Sequence, residues 1–228
     1  SYDLKSNGSD KGALASFQTG DVESFKTFDE FYDAYKRQME YQISLLVNAD
    51  NAIDQAHMER CPLPFESCMV DDCMARGMCL QEGGAVYNFT GPQGFGIANV
   101  ADSLYAIKRL VFDEKKVTLG DFKRALALNY GKGFDEITVA EMTAQIVKEL
   151  KQAGRNVSDE DIAAIAKTIM DTKLSDADQA MCDNLYDMID ELPKFGNDIE
   201  DVDDLARDAA YTYTRPVEKY KNPRGGMF

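Results

Sequence analysis

The chain has 228 residues, of which 44% are apolar and 29% charged, so it is long enough to bury a substantial core. Its net charge of −15 argues against nucleic-acid binding and against an anionic membrane surface, because both favour basic patches. The five cysteines lack regular spacing and no apolar run reaches the length of a membrane span, so we expect a cytoplasmic protein without a membrane or nucleic acid among its partners.

The first third of the chain shows helical periodicity. Thr27 and Glu30 have the spacing of a capping box, which predicts the start of a long helix that ends near Arg60, before two prolines. Its apolar residues recur at three and four positions, as Phe28, Phe31, Tyr35, Met39, Leu46, Ala49, Ile53 and Ala56. A second helix is predicted from about 65 to 76, ending at Gly77.

The remainder of the chain also reads as helix, apart from one glycine-rich stretch. Helices are predicted to begin near Ala98 and after Thr118. Three helices follow over 138–192, of which the second follows Ser158 and the third follows Ser175, and a last helix carries Val202, Leu205 and Ala209. The fold class is therefore mainly α with a few strands. We interpret 1–228 as a single partial domain and 135–192 as a helical insertion within it.

The glycine-rich stretch from Gly83 to Gly96 contains five glycines, one proline and three aromatic residues. This composition cannot continue a helix, and it predicts a short strand over Ala85–Phe89 followed by a shaped loop. Loops with such a specified backbone are frequent binding sites. A phosphate cradle is a weaker alternative, because neither G-x-G-x-x-G nor a Walker lysine is present.

Two clusters raise the question of a metal site. His57, Cys61, Cys68 and Cys73 lack the close pairs that zinc sites use, so packing roles are favoured over zinc. The acidic run over 198–204 lacks the spacing of a calcium loop and reads as a solvated helix face. No metal is predicted.

Several stretches in order share the pattern of one known family. They are Thr19-Gly20-Asp21, Cys61-Pro62-Leu63-Pro64-Phe65, Asp72-Cys73 with Glu82 through Phe112, Leu192 through Asp198, and Asn222 through Gly226. Together they closely resemble the glycyl radical enzymes related to pyruvate formate-lyase, in the branch of glycerol and diol dehydratases, choline trimethylamine-lyase, isethionate sulfite-lyase and arylacetate decarboxylases. The helical block around 135–185 is longer than expected for the shorter dehydratases, which favours a larger member such as an arylacetate decarboxylase.

The resemblance implies a partial segment of a ten-stranded β/α barrel. In the family a glycyl radical takes hydrogen from a catalytic cysteine. The cysteine lies in a Gly-Cys-x-Glu motif and the radical glycine in an Arg-Val-x-Gly-Tyr motif, and the sequence contains neither. We therefore predict no catalytic residue here and expect an internal segment of the parent enzyme, inactive in isolation.

The resemblance also implies partners and a cofactor for the parent. We expect an anaerobic lyase, dehydratase or decarboxylase that acts on a small organic substrate and is commonly homodimeric. Its glycyl radical would be installed by an S-adenosylmethionine-dependent activase with an iron–sulfur cluster, while this chain itself holds no cofactor. The chain's partners would be the rest of the barrel, a second subunit and the activase. The alternative is a non-catalytic helical scaffold or interaction module derived from the family.

The polar side chains of the glycine-rich stretch are the candidate site residues, namely Tyr87, Asn88, Thr90 and Gln93. Two roles are open for them: buried structural hydrogen bonding and contact with substrate. We favour structural hydrogen bonding.

Overall fold

The computed structural model describes residues 16–133, 136–171 and 174–228. The chain divides into two compact units, one formed by Ser1–Phe112 with Pro193–Phe228 and the other by Asp113–Leu192. Residues 1–15 lie outside the described residues. The predicted insertion 135–192 falls within the second unit, and its status as an insertion stays a prediction.

The first unit is built from five α-helices among its described residues. They are α1 (Phe28–Arg60), α2 (Pro64–Ser67), α3 (Cys73–Arg76), α4 (Ile97–Ile107) and α9 (Glu200–Val217), and α4 continues as a π-helix over Lys108–Asp113. Short 3₁₀ turns lie at Val22–Ser24 and Leu80–Glu82.

The start and end of α1 agree with the sequence prediction. Thr27 accepts a hydrogen bond from the Glu30 amide at 3.2 Å, and the Glu30 carboxylate accepts from the Lys26 amide at 2.8 Å. The predicted apolar stripe is wrong in the second half of the helix. The buried residues there are Ile43 and Val47, whereas Leu46 and Ile53 are exposed. Periodicity shows that a helix has an apolar face, but its neighbours in the fold decide which residues are covered.

The second predicted helix is broken into two single turns. Asp72 adopts a left-handed conformation with φ 78°, and this residue separates α2 from α3. Its carboxylate pairs with Arg76 at 2.6 Å. The predicted end at Gly77 is confirmed, since φ is 64° there and its amide donates to carbonyl groups of α3.

Helix α9 is central to the first unit because it packs against both α1 and α4. Alanines on the facing surfaces are almost fully buried, namely Ala101, Ala206 and Ala209. Small side chains let helix backbones approach closely, so this interface depends on backbone proximity as much as on large apolar groups. Where α9 meets α1, Val217 packs with Ile43 and Val47, and Tyr213, Tyr220 and Phe228 cover that cluster.

The predicted strand over Ala85–Phe89 is not formed. The described residues contain no named strand, and their only β-type pairing is an isolated bridge between Lys221 and Met227. A strand needs a hydrogen-bonded neighbour along its length. Among the described residues, a single backbone–backbone hydrogen bond joins this region to the C-terminal segment, and its donor is the Thr90 amide, just beyond the predicted strand. The mainly helical part of the fold-class prediction is confirmed.

The second unit contains α5 (Leu119–Ala127), α6 (Glu136–Gln152), α7 (Asp159–Asp171) and α8 (Asp176–Asp190). Helix α5 packs on α8, and α6 packs on α7. The predicted starts after Thr118, Ser158 and Ser175 are confirmed, because each hydroxyl accepts from an amide three residues later. Within the described parts of the chain, no helix combines the length and the apolar character needed to cross a membrane.

Leu185 tests the core of the second unit. It is 1% exposed on α8, so Leu185→Ala should lower the free energy of unfolding by about 2–5 kcal/mol through lost burial and the cavity left behind. Leu126→Ala removes the same atoms from a side chain that is 56% exposed on α5. It should change the free energy of unfolding by about 0.5 kcal/mol or less. Urea unfolding followed by far-ultraviolet circular dichroism measures both, and equal midpoints would contradict this packing.

Candidate functional site

The glycine-rich stretch has a buried beginning and an exposed remainder. Gly83, Gly84 and Ala85 are buried. The aromatic side chains that follow are exposed, with Tyr87 at 80%, Phe89 at 70% and Phe95 at 87%. One end of the stretch is therefore anchored in the first unit, and its aromatic groups point away from that anchor.

The Asn88 side chain closes the turn at the start of the stretch. Its amide nitrogen donates to the Ala85 carbonyl at 2.9 Å and to the Gly83 carbonyl at 3.2 Å. Its Oδ1 atom is buried without a hydrogen-bond partner among the described residues. Asparagine is suited to this role because its short amide can replace backbone hydrogen bonds within a turn.

A compact turn at the C-terminal end of the chain, residues 221–227, forms what we call the clasp. The Asn222 amide donates to the Gly226 carbonyl at 3.0 Å, and the Gly226 amide donates to Asn222 Oδ1 at 2.9 Å. Asn222 is 6% exposed, so its side chain is both the internal brace of the clasp and a buried polar group. Such groups are stable only when they are hydrogen-bonded.

The clasp holds the glycine-rich stretch through Asn222 and the backbone. Asn222 Nδ2 donates to the Asn88 carbonyl at 2.5 Å and to Thr90 Oγ1 at 3.0 Å. The Thr90 amide donates to the Met227 carbonyl at 2.9 Å. These bonds connect segments more than 130 residues apart in sequence, so the conformation of the stretch depends on the tertiary fold.

Arg224 connects the clasp to both the stretch and helix α1. Its Nε atom lies 3.0 Å from Asp54 Oδ2, and the two side chains are only 18% and 22% exposed. Its Nη2 atom donates to Thr90 Oγ1 at 3.1 Å, with a longer contact of 3.4 Å to the Phe89 carbonyl. A guanidinium presents several donors in a fixed plane, which allows one side chain to join three segments.

Glycine is required at the two points where the clasp and the stretch touch. A Cβ atom at Gly226 would overlap the carbonyl group of Asn88, and one at Gly83 would lie 2.6 Å from the Arg224 carbonyl oxygen. Further along, a Cβ at Gly94 would lie 3.3 Å from the Tyr213 ring of α9. Burial raises the pKa of Tyr213, with a further contribution from Asp50, so the phenol under Gly94 stays protonated.

The four candidate residues separate into two pairs. Asn88 and Thr90 lie together under the clasp and are half-buried, while Tyr87 and Gln93 are exposed and form no hydrogen bond within the described part of the chain. Sequence reasoning missed Asp54, Asn222 and Arg224 as members of this network. The Asn-Pro-Arg-Gly-Gly run was visible, but nothing local to it indicates a partner far away along the chain.

The described residues do not group into a metal site, and the sequence contains neither radical motif. Across the described ranges, no three His, Cys, Asp or Glu side chains are grouped so that they could hold a metal ion. Cys73 and Cys182 are buried, Cys61 and Cys68 are exposed, and Cys79 is half-buried. Because no cysteine is preceded by glycine and followed two places later by glutamate, we derive no radical step through them.

Comparison with known proteins gives a consistent family. The PFL-like family model, described as pyruvate formate lyase-like, matches residues 5–228. Among curated proteins, the (2S)-3-sulfopropanediol dehydratase of Klebsiella oxytoca is 30% identical over 210 residues, which are 92% of this chain and 20% of that protein.

Solved structures show the same relationship. A structure of 1,2-propanediol dehydration in Roseburia inulinivorans is 58% identical with a TM-score of 0.86, over 99% of this chain and 27% of that one. The B12-independent glycerol dehydratase of Clostridium butyricum is 40% identical with a TM-score of 0.70, over 97% of this chain and 22% of that one. The chain thus spans about a fifth to a quarter of the length of these relatives.

The contact between Gly226 and Asn88 provides a test of the clasp. Gly226→Ala should force the clasp away from the stretch and lower the free energy of unfolding by about 1–3 kcal/mol, as overpacking does elsewhere. Gly91→Ala is the matched control, because its added methyl group meets open space. Chemical denaturation measures the difference, and hydrogen exchange at the Thr90 amide should accelerate in Gly226→Ala alone. Equal behaviour of the two variants would show that the clasp does not hold the stretch.

Proposed function

The chain belongs to the pyruvate formate lyase-like family of glycyl radical enzymes, and on this premise we propose that it is a segment of an anaerobic radical dehydratase acting on a small vicinal diol. The observation that carries the proposal is the 58% identity over 99% of the chain to the structure of 1,2-propanediol dehydration. The length of the helical block pointed to a larger member such as an arylacetate decarboxylase. The sequence identities to dehydratases are stronger evidence than the length of this block. They extend over 99% and 97% of the chain, so the block itself is included.

The named relatives share a chemical feature. Propanediol, glycerol and sulfopropanediol each carry hydroxyl groups on adjacent carbons, and each of the three relatives is a dehydratase or is described by dehydration. Loss of water from such a diol gives an aldehyde without net oxidation or reduction. The glycyl radical of the parent would supply the radical chemistry by taking hydrogen from the catalytic cysteine, and it would be regenerated when that hydrogen is returned to the cysteine. We propose that a longer parent protein provides both radical-bearing residues.

The role of this chain in the parent is to form and fix the glycine-rich stretch. Asn88 and Thr90 have a structural role, because the turn occupies the Asn88 amide nitrogen and the clasp occupies the Thr90 hydroxyl. Tyr87 and Gln93 are the members of the predicted set that can reach a substrate or a neighbouring barrel segment, since both are exposed.

The exposed apolar side chains support a role as part of a larger body. Between residues 63 and 97 the chain exposes Leu63, Phe65, Met69, Met74, Met78, Val86, Tyr87, Phe89, Phe95 and Ile97. Single exposed apolar residues are ordinary, but this number within 35 residues, with three side chains at least 80% exposed, is typical of a surface that another polypeptide covers. We propose that the rest of the parent barrel covers it.

The activity is tested with the protein at its full natural length. After anaerobic activation by an S-adenosylmethionine-dependent activase, it should convert 1,2-propanediol or glycerol to the corresponding aldehyde and give a glycyl radical signal in electron paramagnetic resonance. The 228-residue chain under the same treatment should give neither, since both radical motifs are missing. A radical signal in the short chain would overturn its proposed inactivity. A full-length enzyme that carries the radical but leaves both diols unchanged would overturn the substrate class.

The exposed apolar surface is tested separately. The 228-residue chain should bind a hydrophobic dye or self-associate. The triple variant Phe65→Ser, Phe89→Ser, Phe95→Ser should reduce the dye binding or the self-association severalfold. The pair Leu126→Ser and Met170→Ser, which are also exposed but lie in the second unit, is the control and should have little effect. A clean, cooperative monomer without dye binding would favour the non-catalytic module.

A further inference from the structure

A cleft of about 490 Å³ lies between α1 and α9 in the first unit, and its charge differs from that of the chain as a whole. Its charged lining residues are Lys36, Arg215, Lys219, Glu40 and Asp208. Three cations face two carboxylates, so the lining carries an excess of positive charge in a protein whose net charge is −15. Such a local reversal of sign favours an anionic ligand.

Most charges in and around the cleft already have a partner. Lys219 Nζ lies 3.7 Å from Glu40, and Lys36 Nζ lies 3.8 Å from Asp33. Asp208 is 3.9 Å from the Nε atom of Arg207, which also pairs with Asp204. The carboxylates of the cleft are therefore neutralised by neighbouring cations other than Arg215.

Arg215 is the third cation that lines the cleft. Its guanidinium lies over the Tyr211 ring, with 4.2 Å between Cζ and the ring centroid, and it forms no ion pair with a carboxylate among the described residues. Stacking on the ring restricts the guanidinium plane while its N–H donors stay available. A restricted arginine fork matches the two oxygens of a carboxylate in a bidentate arrangement.

The rest of the cleft suits an apolar body rather than more charge. Tyr32, Tyr211 and Pro216 supply aromatic and aliphatic wall. Burial, with a further contribution from Asp208, raises the pKa of Tyr32 to about 12, so this phenol is uncharged near neutral pH and does not repel an anion. The Thr212 hydroxyl is occupied, because it donates to the Ala209 carbonyl at 2.6 Å.

From these observations we propose that the cleft between α1 and α9 binds a small aromatic monocarboxylate. Its carboxylate pairs with the Arg215 fork, and its ring packs against Tyr211 and Tyr32. One negative charge on the ligand neutralises the excess positive charge of the residues that line the cleft. The volume of the cleft lies within the range of small-molecule sites. The site is independent of the diol dehydratase proposal, because it uses no residue of the glycine-rich stretch or of the clasp.

Binding is tested by titrating benzoate into the protein at its full natural length, with isothermal calorimetry and ligand-observed nuclear magnetic resonance. Benzoate should bind saturably, while neutral benzyl alcohol and inorganic phosphate should bind much more weakly. Arg215→Gln should lower the affinity by at least about tenfold, because a charge-assisted bidentate pair is lost. Arg215→Lys keeps the charge but loses the planar guanidinium. Its affinity for benzoate should therefore lie between the affinities of the unchanged protein and of Arg215→Gln.

Arg60→Gln is the matched control. Arg60 lies at the end of α1, twenty residues beyond Glu40 and so about 30 Å along the helix from the cleft, and removing its charge should leave benzoate affinity within about twofold. Tyr211→Leu should weaken benzoate binding while far-ultraviolet circular dichroism stays unchanged. The proposal is overturned by absence of saturable benzoate binding, by equal affinity in Arg215→Gln, or by phosphate binding as tightly as benzoate.

Discussion

The hydrogen-bonded contact between the clasp and the glycine-rich stretch is the constraint on which the arrangement of the first unit depends. Arg224 lies between Asp54 on α1 and Thr90 on the stretch, and Asn222 braces the clasp while it donates to the Asn88 carbonyl. These side chains have little exposure to solvent, so breaking one bond leaves a partner that water cannot easily satisfy. The network is therefore cooperative, and it positions a segment that contributes no regular secondary structure of its own.

The stretch needs glycines because this network brings backbone atoms into close contact, and not because the stretch has to be flexible. Backbone atoms of the clasp and of the stretch approach so closely that a single Cβ at Gly226 or Gly83 would collide with a carbonyl group. The same contact leaves Tyr87, Phe89 and Phe95 exposed on the other side. A segment with a buried polar anchor and an exposed aromatic surface is suited to being covered by another polypeptide segment. This is consistent with a chain about a quarter as long as its solved relatives.

The two proposed sites rely on arginine in different ways. Arg224 is partly buried and bonded to three protein acceptors, so it holds structure together. Arg215 is stacked on Tyr211 and has no carboxylate partner within the described ranges, so its donors remain available to a ligand. The same side chain type thus serves packing in one place and recognition in another, and the difference is set by which acceptors the fold places within reach.

Local chemistry in the sequence determined much of the secondary structure. The caps at Thr27, Thr118, Ser158 and Ser175 and the stop at Gly77 act within three or four residues, so they could be identified without a fold. The family resemblance, carried by motifs in order along the chain, was equally accessible. What required tertiary structure was every feature that depends on distant partners. The buried face of α1 and the absence of a strand over Ala85–Phe89 are of this kind.

The candidate site shows the same division. Asn88 and Thr90 could be singled out as polar groups in a glycine-rich stretch, but their partners Asn222 and Arg224 lie more than 130 residues away. Sequence spacing predicts contacts within one helix or turn, because there the backbone geometry fixes the distance between side chains. It does not fix distances between separate elements. Only the packing of α9 against α1 and α4 brings the C-terminal residues onto the stretch, and this decided which of the four predicted side chains are half-buried and which remain exposed.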